Sequence, residues 1–77
     1  MDLIASLQCA DQPGIVHAMT SAVLACGGNI IENQQFTDPS TNTFVMRTRF
    51  ETSEGLDGAE KSLNEGLSNF NPSLHIR

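Results

Sequence analysis

The residues with the clearest capacity for chemistry stand at two junctions of the chain. Asp11-Gln12-Pro13-Gly14 joins a carboxylate, a residue of fixed φ and a residue without Cβ, and fifteen positions after Gly14 the turn Gly27-Gly28 delivers the amide of Asn29. An aspartate pairs with an ammonium group, and free backbone N–H groups of Gly14 and Ile15 at a helix start attract a carboxylate. An asparagine amide both donates and accepts. Together these groups suit the two charged ends of an α-amino acid. A plainer reading has Asp11 capping a helix, Gly14 allowing tight packing and Asn29 closing a turn.

Other constellations fall away on missing residues. Cys9 and Cys26 lie 17 apart with no second pair, which fits neither zinc spacing nor a redox Cys-x-x-Cys and reads as reduced, buried thiols of a cytoplasmic protein. The histidines, His17 and His75, stand beside no nucleophile, and the carboxylates Glu51, Glu54, Asp57 and Glu60 read as loop and solvated helix residues. No catalytic residue, metal cluster or cofactor is expected. Nine acidic residues against Arg47, Arg49, Lys61 and Arg77 give a net charge of −5, the wrong sign for a nucleic-acid partner. The longest apolar run, Ala22–Cys26, is far below the roughly 20 residues of a membrane span, and without a basic stretch followed by an apolar one at the amino end no secretory leader is expected.

Hydrophobic periodicity places these residues on elements. Leu3–Cys9 alternates as a strand, β1, with Leu3, Ala5, Leu7 and Cys9 on one face. Asp11 or Gln12 suits the N-cap and Pro13 the first turn of a helix, α1, which carries Ile15, Ala18, Met19, Ala22, Val23 and Cys26 as one stripe and ends at Gly27-Gly28. Asn29–Thr37 is a strand, β2, with only Ile30, Ile31 and Phe36 to bury, which suggests a sheet edge. Asp38–Asn42 turns into a further strand, β3, over 43–50, with Phe44 and Phe50 fitting the core. Leu56, Ala59, Leu63 and Leu67 space a second helix, α2, and Ser73–Arg77 forms a short β4.

This order predicts an α+β, ferredoxin-like βαββαβ domain over residues 1–77. An antiparallel four-stranded sheet carries both helices on one face, with β1 and β3 central and β2 and β4 at the edges. A fold shared by many activities leaves the site to decide function. An RNA-binding module lacks its aromatic residues on β1, a copper chaperone its paired cysteines, and an acylphosphatase its loop arginine.

The runs Asp11-Gln12-Pro13-Gly14-Ile15-Val16 and Gly27-Gly28-Asn29-Ile30-Ile31 resemble the D-x-P-G and G-x-N-I signatures of ACT domains, which are small-molecule regulatory modules. Asn33-Gln34-Gln35-Phe36-Thr37-Asp38, followed by Phe44-Val45-Met46-Arg47, is similar to the amino-terminal ACT domain of formyltetrahydrofolate deformylases. That resemblance implies a parent enzyme that hydrolyses 10-formyltetrahydrofolate to formate and tetrahydrofolate in one-carbon and purine metabolism. Its catalytic, formyltransferase-like domain would lie outside these 77 residues, so this chain would be the regulatory part and not an enzyme. The resemblance further implies an effector site at Asp11, Gly14, Ile15, Asn29 and Ile30, with glycine or methionine as effector. A homodimer formed through edge strand β2 would bring Asn29 near the partner's site. The alternatives are an ACT-type dimerisation module without a ligand and a stand-alone amino-acid sensor.

Overall fold

A computed structural model describes all residues, 1–77, as β1 (Asp2–Ala10), α1 (Ile15–Ala25), β2 (Asn29–Asp38), β3 (Thr43–Glu51), α2 (Leu56–Leu67), a 3-10 turn at Ser68–Phe70 and β4 (Ser73–Ile76). The strands form one antiparallel sheet in the order β2-β3-β1-β4. The expected topology and element order therefore hold, with ends displaced by about one residue, as fraying makes usual.

The core is the seam between the inner sheet face and the helices. Leu3, Ala5, Leu7 and Cys9 of β1 and Phe44, Met46 and Phe50 of β3 meet Ile15, Met19, Ala22 and Val23 of α1 and Ala59, Leu63 and Leu67 of α2. Gly66 lets the helices approach closely, since a Cβ there would stand 2.9 Å from the Ala22 Cβ. Ser62 Oγ fastens the same contact by donating to the Ala22 carbonyl at 2.7 Å.

Strand β2 departs from expectation. Of its apolar residues only Ile30 packs against the core, while Ile31 and Phe36 are 49% and 62% exposed. Successive isoleucines face opposite sides of a strand, and a bulge between Ile30 and Glu32 shifts the alternation so that Phe36 falls opposite Val45, away from the core. From Ile31 to Thr37 every residue is exposed, because the paired helices sit over the other strands. One polar link ties this edge inward: buried Thr48 donates through Oγ1 to Asn33 Oδ1 at 2.7 Å, and Asn33 Nδ2 donates to Gln35 Oε1 at 2.9 Å. On the sheet face away from the helices, Arg49 grips Asp2 through Nη2 at 2.7 Å, and that hydrogen bond holds the Asp2 carboxyl below its ordinary range.

The lower end of the domain is closed by one hydroxyl. Thr52, buried just beyond β3, donates through Oγ1 to the Cys26 carbonyl at 2.6 Å and accepts the Glu54 N–H at 3.1 Å. Thr52→Val keeps the shape and removes both bonds, leaving polar backbone groups without partners. The substitution is expected to destabilise the fold by about 1–3 kcal/mol, read as a lower urea midpoint with an unchanged denaturant slope.

Candidate functional site

The junction after β1 differs from the sequence expectation in one important respect. Asp11, Gln12 and Pro13 all precede the helix, and the N-cap is Gly14, at φ 95° and ψ −6°, with no side-chain cap. The reason is local. Asp11 is held in line with the strand by its N–H bond to the Asn42 carbonyl at 2.9 Å, and Pro13 biases Gln12 toward extended backbone. The reversal into α1 then falls on the residue that takes positive φ without a Cβ penalty.

The resulting helix end has unsatisfied polarity. Its first intrahelical bond runs from the Ala18 N–H to the Gly14 carbonyl at 3.0 Å, so the N–H groups of Ile15, Val16 and His17 have no intrahelical acceptor. No acidic side chain occupies the first turn to offset the dipole. A carboxylate would find donors and positive potential here, with the half-buried Asp11 carboxylate nearby for an ammonium group. Ile15 contributes only its N–H, since its side chain is 2% exposed and belongs to the core.

Asn29 and Ile30 stand elsewhere. Strands β1 and β2 both run antiparallel to β3, hence parallel to each other, so the end of β1 and the start of β2 lie at opposite ends of the sheet. The eleven residues of α1 separate them by about 16 Å. Asn29 is exposed, sits opposite Glu51, and lines a 320 Å³ hollow with Met1, Gly27, Thr52 and Ser53. Ile30 is half-buried opposite Phe50. The five residues thus form two groups: Asp11, Gly14 and Ile15 together at one end, and Asn29 and Ile30 at the other. One chain does not bring them into a single site.

Sequence reasoning missed what stands behind Gly14. The ring of Phe70, from the 3-10 turn after α2, would lie 3.8 Å from a Cβ built on Gly14. This is ordinary contact, so the φ of Gly14 rather than lack of space demands glycine. The segment Ser68–Pro72 reads in the sequence only as a helix breaker, and nothing in its residue types signals that its phenylalanine returns to the first helix.

No protein-family model matches the chain. It is 44% identical over 46 residues to the formyltetrahydrofolate deformylase of Bacillus subtilis (strain 168), a stretch covering 58% of this chain and 15% of that protein. In three dimensions it matches a formyltetrahydrofolate deformylase from Pseudomonas syringae pv. tomato with a TM-score of 0.89 at 22% identity, over 99% of this chain and 26% of that one. It matches an ACT domain protein from Streptococcus pneumoniae with a TM-score of 0.80 at 20% identity, over 100% and 88% of the respective chains. The fold is that of an ACT domain, and the chain resembles a small part of the longer deformylases.

The left-handed backbone at Gly14 makes a test. Gly14→Ala forces a Cβ into that conformation and is expected to destabilise the domain by about 1–2 kcal/mol, measured by urea unfolding. Gly14→Asn, whose side chain tolerates positive φ better, is expected to lose less.

Proposed function

We propose that this chain is the amino-acid-sensing regulatory module of a formyltetrahydrofolate deformylase, and that its effector site is assembled from two copies. The observation that carries the reading is the division of the site between opposite ends of a domain whose edge strand is long, exposed and unpaired. A two-fold axis through β2 reverses the partner strand. The start of the partner's β2, with its Asn29, then lies at the end of the sheet that carries Asp11 and the open helix terminus.

The edge is suited to that pairing. Ladder bonds alternate along each strand. Ile4 exchanges both bonds with Arg77 of the β4 segment, whereas Asp11 bonds toward Asn42 on the β3 side. Followed through the β3 register, the backbone groups of Asn33, Gln35 and Thr37 face outward from β2. Centring the pair on Gln34 sets Asn33 opposite the partner's Gln35 and brings exposed Phe36 beside the partner's Ile31. It also places Asp38 next to the partner's Asn29. Residues 30–38 of β2 are then paired, and the two apolar side chains that β2 leaves in water cover each other.

In this assembly the effector carboxylate rests on the N–H groups opening α1, its ammonium group meets Asp11, and the partner's Asn29 closes the site by donating and accepting. Gly14 leaves the backbone open to approach. A ligand held across the interface favours the subunit arrangement that completes the site, with a coupling of about 1–3 kcal/mol available to a catalytic domain in the same protein. The candidate effectors are glycine and methionine. The parent activity is hydrolysis of 10-formyltetrahydrofolate to formate and tetrahydrofolate, serving purine synthesis in the cytoplasm. The stretch 44% identical to the Bacillus deformylase supports that assignment, and the two free cysteines suit a reducing compartment.

Titration calorimetry with glycine, methionine and serine, beside sedimentation equilibrium, tests the reading. The expected result is saturable heat with glycine or methionine on a dimer, lost in Asn29→Ala while the dimer persists, and lost together with the dimer in Gln35→Pro, which removes an outward N–H. Binding by a monomer, or full affinity in Asn29→Ala, would contradict it. A stable dimer silent to every amino acid would favour a pure dimerisation role.

A further inference from the structure

A second polar recess lies at the same end of the sheet, on the β4 side of β1. Strand β1 outruns β4: the pairing stops at Gln8 opposite Ser73, leaving Cys9 and Ala10 without a neighbouring strand there. Alternate residues of β1 bond toward β4, as Ile4 does with Arg77, so the N–H of Ala10 faces this gap. It finds no backbone acceptor across it, because the chain turns away at Asn71, φ 48°. The gap opens into a cavity of 470 Å³ reached by Gln8, Asn42, Asn71 and Ser73, with Thr41 and Thr43 on its rim.

Three features single out this recess. The only two residues other than glycine with positive φ, Asn42 at 54° and Asn71 at 48°, both border it. Glycine is the default at such positions, and asparagine ordinarily earns its place there by bonding to nearby backbone. Here neither asparagine side chain makes a hydrogen bond within the chain, nor do those of Gln8 and Ser73, so these four exposed polar groups lining the recess are free to bond a ligand. Finally, no charged side chain lines the cavity. Cys9 beneath it is a neutral thiol, its pKa pushed up by burial and then by the Asp11 carboxylate.

We propose that this recess binds the hydrogen-bonding edge of an uncharged ligand, a carboxamide or a nucleobase-like heterocycle presenting donors and acceptors side by side. An amide offers one of each at fixed spacing, and Asn42, Asn71 and Gln8 supply three amides around the Ala10 N–H. Recognition by neutral groups favours a neutral partner, because a charge would meet no counter-ion among the lining side chains. The site belongs to one chain and is independent of Asn29, so it stands or falls separately from the effector site.

Nuclear magnetic resonance titration of the labelled protein with nicotinamide and with adenine tests this, with acetate and methylammonium as charged probes. The expected result is saturable, millimolar-range perturbation centred on the Ala10, Asn71 and Ser73 amides by at least one neutral probe and by neither ion. Asn42→Gly and Asn71→Gly retain access to the left-handed backbone while removing the amide, and each is expected to weaken binding about tenfold, close to 1.4 kcal/mol. Asn29→Ala leaves this binding intact. The proposal is overturned if neither neutral probe perturbs these amides, if the ions do so equally, or if both glycine variants bind as the wild type does.

Discussion

The contact that shapes the rest of the molecule is the seating of α1 against α2. With glycine at 66 facing Ala22, and Ser62 bonded to the Ala22 carbonyl, the two helices close to short range. Drawn together, they roof the inner strands and leave β2 bare along seven consecutive residues. The sequence of β2 is matched to that position: Glu32, Asn33, Gln34 and Gln35 would be costly under a helix and are at home on an edge. An edge ten residues long, exposed and bulged, with no proline before Pro39 at its end, retains the capacity to add a strand. The interface that the proposed function needs is therefore a consequence of how the core was closed.

The same architecture divides the chemistry. A βαβ crossover between parallel strands must return the chain to the opposite end of the sheet, so residues flanking α1 on its two sides can never meet within one copy. The helix terminus at Gly14 and the amide of Asn29 are such a pair. Near one another in the chain, they could combine only through symmetry, and in the proposed dimer that couples ligand binding to association. An effector that closes the site must also hold the subunits, and that is the form of coupling a regulatory module requires.

Much of this was legible in the residues. The alternation of Leu3 to Cys9, the stripe from Ile15 to Cys26 and the spacing of Leu56, Ala59, Leu63 and Leu67 each carry one strong period, and all the residues they place in the core are buried there except Ala18 and Leu56, which are half-buried against it. The edge position of β2 was legible from polarity alone. The helix start was not: Asp11 and Pro13 have the types expected of a cap and a first turn, but the Asn42 carbonyl, thirty-one residues on, holds Asp11 in the strand. Phe36 was misplaced because a bulge after Ile30 shifts the alternation and turns it to the other face without leaving a mark in residue type. Phe70 behind Gly14, and the recess bordered by Asn42 and Asn71, depend on loops that meet only in the folded chain.

The central claim, one effector site made by two chains, is tested most directly by complementation. Asp11→Ala and Asn29→Ala each disable both sites of their own dimer, but a mixed dimer contains one site with both residues intact. The two variants are mixed, exchanged through dilute solution, reconcentrated and titrated with the effector that binds the wild type. The account predicts that neither variant binds alone and that the mixture regains wild-type affinity at a reduced number of sites. A mixture as silent as its components, although shown to contain mixed dimers, would contradict it.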